Sequence, residues 1–252
     1  MQIITSHKPN FSECPSNLKR NLSQWETLNK TYDFVYYNDE EQISWMYDNC
    51  TKETLEMFNM LNSGASRADL FRICKLHYDG GIWFDADLPA FDIDKQKPNF
   101  KQLLEDNKAI LVRNRKCDNP RYTFIAGLKG NNLFFMLNDF INKHIKEAAK
   151  HNKGISTIDI TGPFVLHKLV LMLCGFEDVL KAGPRTFWPG GYAFSGTLSL
   201  NKNYNINGTS FMYIDDIIPE KDTYSEENAY SGYESDTSQM GVIHHGQVRG
   251  VK

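Results

Sequence analysis

One short stretch of this chain, Gly81-Ile82-Trp83-Phe84, constrains the fold more than any other. The three residues after the glycine are too few for a helix and too apolar for an exposed segment, so they predict a buried strand. A helix with one apolar side is predicted over 66–78, and a Gly-Gly pair separates it from the strand. Asp85 and Asp87 follow directly. Because an unpaired buried carboxylate is unfavourable, these aspartates require a partner that a core strand does not supply.

Strand-like and helix-like patterns alternate along the rest of the chain. Strands are predicted over 1–5, 32–38, 109–114 and 122–128, and helices over 15–28, 40–61, 131–150 and 164–174. Such alternation predicts an α/β fold in which helices flank both faces of a mostly parallel sheet. We expect a single domain over residues 1–252, with a polar, acidic loop or flap at about 219–240.

Composition excludes several classes of protein. With 252 residues, 41% of them hydrophobic and 23% charged, the chain suits a globular domain rather than a disordered one. A net charge of −3 without a basic stripe argues against a nucleic-acid partner. The five cysteines are scattered without a CxxC spacing, which indicates reduced thiols. Neither a secretory signal nor a membrane-spanning segment is evident, so we expect a cytoplasmic protein without a transmembrane anchor.

The two aspartates predict a metal site. Residues two apart in a strand point to the same face, so Asp85 and Asp87 would project together from the carboxyl end of the strand. Ligands bind at that end of open parallel sheets. Paired carboxylates suit Mg²⁺ or Mn²⁺, which keep positions for waters and substrate phosphates. On the preceding helix, Asp69 and Arg72 share a face, and the guanidinium matches the geometry of a phosphate.

These residues, taken together, resemble a known family. The runs SRADLFR (66–72) and LHYDGGIWFDAD (76–87) look like the signature of family 32 glycosyltransferases, which carry a DXD motif. The similarity extends to Trp25-x-x-x-Asn29, to ITGP at 160–163, to FWP at 187–189 and to His244-His245. The chain departs from the family at its N-terminus, which is reduced to MQIITSH, and lacks the tryptophan that often follows the terminal histidine.

The resemblance implies a GT-A fold and a metal-dependent glycosyltransferase, which moves a hexose from a UDP- or GDP-sugar with retention of configuration. The acceptor would be a hydroxyl of a glycan, a lipid or a protein. Asp85 and Asp87 would be the catalytic residues and would hold Mn²⁺ or Mg²⁺ together with His245, for which His244 is the alternative. The implied donor-binding residues are Asp69, Arg72, Asp85, Gly81 and Gly162.

Other interpretations of the same residues stay open. An isolated Asp-x-Asp is usually a solvated turn after a strand. Ser66-x-x-Asp69 matches a capping box, and Arg72 could pair with Asp69 along the helix without binding any ligand. The alternative function is a non-catalytic module that binds nucleotide sugars or glycans on the same fold. Metal-dependent hydrolysis of a nucleotide sugar would distinguish the enzyme from that module.

Overall fold

A computed structural model of the chain describes residues 1–61, 63–96, 99–114, 119–151, 160–175, 200–206, 208–215 and 217–218. The predicted flap at 219–240, the FWP segment at 187–189 and both C-terminal histidines, His244 and His245, lie outside the described residues. Within the described ranges, no helix combines the length and the apolar character that crossing a bilayer requires.

Helices and strands alternate through the first two thirds of the chain. The strands are β1 (Gln2–Ser6), β2 (Asp33–Tyr37), β3 (Gly81–Phe84), β4 (Ala109–Asn114), β5 (Asn119–Gly127), β6 (Lys202–Ile206) and β7 (Thr209–Ile214). The helices are α1 (Ser16–Leu28), α2 (Asp39–Asn49), α3 (Lys52–Met60), α4 (Gly64–Tyr78), α5 (Phe100–Asn107), α6 (Asn132–His151) and α7 (Pro163–Leu173), and a 3₁₀ turn covers Phe11–Glu13.

All seven strands form one sheet in the order β2-β1-β3-β5-β4-β7-β6. The pairs β1–β2, β1–β3 and β4–β7 are parallel, whereas β5 and β6 run antiparallel to their neighbours. Five of the strands therefore point the same way. The predicted class, an α/β fold of the GT-A type with a mostly parallel sheet flanked by helices, is confirmed by this arrangement.

The sheet separates two apolar cores, because successive strand residues point to opposite faces. Ile3 belongs to the core that includes α1, where the Trp25 ring stacks on Phe84 at 4.2 Å between ring centroids. Ile4 and Trp83 belong to the core formed with α4 and α6. Burial of each large apolar side chain stabilises the fold by about 2 kcal/mol.

The order of the strands indicates where a ligand would bind, namely at the carboxyl ends of β1 and β3. From β1 the chain passes through α1 to β2 on one side, and then through α2, α3 and α4 to β3 on the other side of β1. In open α/β sheets, a reversal of this kind opens a binding crevice outside the carboxyl ends of the strands. Those ends are Ser6 in β1 and Phe84 in β3, and Asp85 follows Phe84.

Two helices differ from their predicted bounds by more than one residue. The helix expected over 40–61 is two helices, because the Thr51 side chain accepts a hydrogen bond from the Thr54 backbone N–H and begins α3. Helix α4 begins at Gly64, where the Ser63 hydroxyl accepts from the Ser66 N–H at 3.4 Å. Ser66 therefore lies inside the helix, and the interpretation of Asp69 as half of a capping box with Ser66 is wrong.

Three elements were not predicted from the sequence, namely α5, β6 and β7. Strands β6 and β7 form an antiparallel pair in which Ile206 lies opposite Thr209. The Asn-Gly dipeptide at 207–208 is a strong sequence signal for a hairpin and could have predicted this pair.

Candidate active site

Asp85 and Asp87 lie at the carboxyl edge of the sheet, directly after β3. The strand ends at Phe84, and the chain then turns tightly, because the Leu88 N–H donates to the Asp85 carbonyl at 2.8 Å. The expectation that both aspartates project from one face of a strand is therefore wrong, since neither residue lies in the strand. The turn keeps them close instead, and the charge of Asp85 contributes to raising the pKa of Asp87.

Direct side-chain partners fix Asp85. Its Oδ1 accepts a hydrogen bond from Arg72 Nη2 at 2.6 Å and another from the Trp83 indole Nε1 at 3.1 Å. The first is a charge-assisted hydrogen bond, roughly twice as strong as a neutral one. The orientation of the Asp85 carboxylate is thus set before any ligand arrives.

Arg72 is itself buried, with only 4% of its surface exposed. Its Nη1 donates to the backbone carbonyl of Tyr122, and its guanidinium carbon lies 4.9 Å from the ring centroids of both Trp83 and Tyr122. Nη2 also lies 3.5 Å from Asp69 Oδ1. Among the described residues, the Nε of Arg72 has no hydrogen-bond partner. Arg72 therefore links two carboxylates to β5.

Asp69 is a buried carboxylate in the second turn of α4. Its Oδ2 accepts a hydrogen bond from the Thr161 hydroxyl at 3.1 Å. Burial raises the pKa of Asp69 to about 7, and the charge of Asp85 adds to the effect, while Arg72 and the Thr161 hydrogen bond oppose it. Near neutral pH this carboxyl group is poised between its charged and neutral forms.

The Asp87 side chain is exposed to solvent but is surrounded by protein on several sides. The residue is exposed, yet desolvation raises the pKa of its carboxyl group to about 6, with the charge of Asp85 as the second cause. A side chain that is both accessible and closely surrounded lies in a concave part of the surface.

The site carries more negative than positive charge. Three carboxylates, Asp69, Asp85 and Asp87, share one guanidinium, that of Arg72. Among the described residues, no three His, Cys, Asp or Glu side chains form a complete metal site. Two neighbouring carboxylates fit a Mg²⁺ or Mn²⁺ ion that takes its other ligands from phosphate and water. The charge excess and the hard oxygen donors therefore fit such an ion.

Comparison with known proteins agrees with this chemistry. Residues 15–92 match the family described as "Glycosyltransferase sugar-binding region containing DXD motif". These residues are therefore similar to the DXD-containing region of glycosyltransferases. Among solved structures, the chain is similar to one titled "PaToxG Glycosyltransferase", with 15% identity, 71% of each chain covered and a TM-score of 0.47. No match to a curated protein is found.

The two predicted donor-binding glycines, Gly162 and Gly81, lie in different parts of the fold. Gly162 precedes α7 and adjoins Thr161, whose hydroxyl binds Asp69, so it lies on the Asp69 side of the site. Gly81 lies at the amino end of β3, at the opposite edge of the sheet from the aspartates. Its φ is +128°, and a Cβ there would lie 2.9 Å from the Gln2 carbonyl, so β1 and β3 require glycine at this position. The structure does not bring Gly81 together with the site.

Sequence reasoning missed three contributors to the site. Trp83 was expected to be a core residue, but its indole N–H also holds Asp85. Thr161 belongs to the recognised ITGP run and positions Asp69. Tyr122 supplies a backbone carbonyl and a ring to Arg72. Only Thr161 had a local signal, because the contacts of Tyr122 depend on the pairing of distant strands.

Proposed function

We propose that the protein is a metal-dependent glycosyltransferase of the family 32 type, which moves a hexose from a UDP- or GDP-sugar to an acceptor hydroxyl of a glycan, a lipid or a protein. The observation that carries the proposal is the excess of carboxylates over cations that the described residues show at the carboxyl end of the sheet. There, Asp69 and Asp85 pair with one buried guanidinium, and Asp87 lies close enough for the charge of Asp85 to raise its pKa. The DXD region matched over residues 15–92 supports it.

Each side chain of the site has a role in this proposal. Asp87 and Asp85 would hold Mn²⁺ or Mg²⁺, and His245 would add a ligand from the C-terminal segment. A bound divalent cation would stabilise the negative charge that develops on the departing diphosphate. Asp69, fixed by Thr161, would accept hydrogen bonds from sugar hydroxyls. Arg72 would keep Asp85 oriented, and its contact with the diphosphate stays a prediction.

We propose that the transfer retains the configuration of the sugar. The bond between the anomeric carbon and the diphosphate oxygen breaks, and a bond from the acceptor oxygen to the same carbon forms on the same face. The proton of the acceptor hydroxyl passes to the departing diphosphate. In this scheme the chain orients the two substrates and excludes water, and no side chain becomes covalently attached to the sugar.

The decisive experiment compares wild type with Asp87→Asn and Asp92→Asn. Release of nucleoside diphosphate would be measured with a panel of UDP- and GDP-hexoses, with and without Mn²⁺. Asp87→Asn keeps the shape but removes charge, so Mn²⁺-dependent release should fall by about a hundredfold or more. Asp92 lies five residues further along, and its carboxylate accepts from the backbone N–H groups of Asp94 and Lys95 and pairs with Lys95 Nζ at 3.1 Å. These contacts are local, so its asparagine variant should retain activity.

Two results would contradict the proposal in different ways. Full turnover by Asp87→Asn would show that the metal is held elsewhere. Tight binding of a nucleotide sugar by wild type, without release of the diphosphate for any donor or acceptor, would favour the non-catalytic binding module instead.

A further inference from the structure

The chain that follows the DXD motif has no regular secondary structure, yet much of it is buried. Residues 85–94 form turns and irregular backbone, and Ala86, Leu88, Phe91 and Ile93 are all buried. Buried backbone N–H and C=O groups require hydrogen-bond partners. The sheet supplies one to the Asp85 N–H, which donates to the Thr123 carbonyl of β5 at 2.9 Å. For several backbone groups beyond Asp85, the partners come from helix α1 and the residue that follows it.

Three buried side chains on α1 and at its C-terminal end bind this segment. Asn21 and Trp25 are four residues apart and lie on one face of the helix, and Asn29 caps the helix four residues further along. The Trp25 indole N–H donates to the Leu88 carbonyl at 2.8 Å. Asn29 donates to the Phe91 carbonyl at 3.0 Å and accepts from the Ile93 N–H at 2.9 Å.

Asn21 holds the part of the segment that contains Asp87. Its side-chain amide donates to the carbonyls of Ala86 and Leu88, both at 2.9 Å, and its Oδ1 accepts from the Ala90 N–H at 3.1 Å. One buried amide thus fixes the backbone immediately before and after Asp87. Asp85 is held through its own carboxylate, whereas the Asp87 side chain has no hydrogen bond to another described residue.

We infer that Asn21 is a positioning residue for Asp87, and that it sets the place of this carboxylate through the two flanking backbone carbonyls. The inference rests on the proposed role of Asp87 as a metal ligand. A residue that orients a metal ligand contributes to metal affinity without touching the metal, and its removal typically weakens affinity by about 10- to 100-fold.

Asn29, the residue that caps α1, provides a matched control. Its side chain also makes three buried hydrogen bonds, to the Trp25 and Phe91 carbonyls and from the Ile93 N–H. Asn29→Ala should therefore destabilise the fold about as much as Asn21→Ala, but it releases the backbone four or more residues beyond Asp87. A merely structural role for Asn21 would make the two variants indistinguishable.

The test is a titration of each purified full-length variant with MnCl₂, with free Mn²⁺ measured by electron paramagnetic resonance. Asn21→Ala should raise the Kd for Mn²⁺ by about tenfold, and Asn29→Ala by less than about twofold, at similar losses in melting temperature. In turnover, Asn21→Ala should raise the Mn²⁺ concentration for half-maximal rate more than it lowers the rate at saturating Mn²⁺. Asn21→Ser, which keeps one hydroxyl donor, should be intermediate and replaces the alanine variant if that one fails to fold.

Asp87→Asn separates the failure of this inference from the failure of the proposed function. Loss of Mn²⁺ binding in Asp87→Asn, with equal Kd values in the Asn21 and Asn29 variants, overturns the positioning role alone. If wild type and Asp87→Asn bind Mn²⁺ equally, or neither binds it, the metal site itself is wrong and both proposals fall.

Discussion

Replacing Asp69 with asparagine tests whether the site keeps a buried carboxylate at the expense of folding stability. The Asp69 side chain is only 13% exposed, and burial is the main reason that its pKa rises from 3.8 to about 7. An asparagine has the same shape and can still accept the Thr161 hydrogen bond, but it carries no charge to desolvate. We therefore expect Asp69→Asn to be more stable than wild type at neutral pH.

The size of the effect follows from the two pKa values. One pKa unit corresponds to about 1.4 kcal/mol, so a rise from 3.8 to about 7 corresponds to about 4 kcal/mol at full ionisation. Between about pH 4 and about pH 7 the folded protein holds this proton and the unfolded chain has released it. Stability must therefore fall as the pH rises through this window and level off above it. About 2 kcal/mol of this loss of folding stability occurs between pH 5 and pH 7.

Urea unfolding of wild type and Asp69→Asn at pH 5, 6, 7 and 8, with EDTA and a reductant present, measures this difference. The gain of Asp69→Asn over wild type should grow by about 2 kcal/mol from pH 5 to pH 7. Asp92→Asn serves as the control, and the difference between its free energy of unfolding and that of wild type should not grow in this way from pH 5 to pH 7. Donor affinity of Asp69→Asn should fall even as its melting temperature rises, which is the trade-off expected at a binding site.

If the free energies of unfolding of wild type and Asp69→Asn differ by the same amount at every pH, the reasoning is refuted. It would mean that Arg72 and the Thr161 hydroxyl outweigh burial and keep Asp69 charged in the folded protein.

The other predictions concern Arg72 and the C-terminal segment. Lysine cannot reach both the Tyr122 carbonyl and Asp85 as the guanidinium does, so Arg72→Lys should lower the free energy of unfolding by about 1–3 kcal/mol. In calorimetry, the same variant should bind both Mn²⁺ and nucleoside diphosphate more weakly than wild type. Weakened diphosphate binding with unchanged Mn²⁺ affinity would assign Arg72 to the diphosphate instead. Truncation after Ile243 removes His244 and His245, so the affinity for Mn²⁺ in the presence of donor should fall while the melting temperature changes little. An unchanged transfer rate would exclude both histidines as metal ligands.

Local patterns predicted the parts of the site that lie close together in the sequence. Asp69 and Arg72 are three residues apart on α4, and α4 leads directly into β3, so their proximity to Asp85 followed from the order of elements. The partners that complete the site come from far along the chain. Arg72 binds the Tyr122 carbonyl, and Asp69 binds Thr161, across 50 and 92 residues respectively. No local periodicity encodes such pairs, because they depend on how β5 and α7 pack.

The start of α4 shows a second limit of local patterns. Ser63 and Ser66 are both acceptable cap residues, and the sequence favoured Ser66 because an acidic residue follows three positions later. The N-cap of the folded helix lies three residues earlier, at Ser63, which buries Ser66 and moves Asp69 from the first turn of the helix to the second. A carboxylate at a helix start would have been satisfied by backbone N–H groups, whereas one in the second turn requires Arg72 and Thr161.

Asp85 and Asp87 lie close together because of a tight turn and not because of strand alternation. The backbone of that turn is held by a distant stretch of the sequence. Strand alternation would have required Asp85 and Asp87 to extend β3, but a tight turn holds them instead. A turn beyond a strand leaves buried backbone groups that the sheet cannot pair, so a partner must come from elsewhere. Trp25 on α1 and Asn29 at its C-cap, which form the Trp-x-x-x-Asn pattern, supply it together with Asn21. The motif on α1 and the DXD motif are therefore two halves of one structural unit, which the match over residues 15–92 spans from end to end.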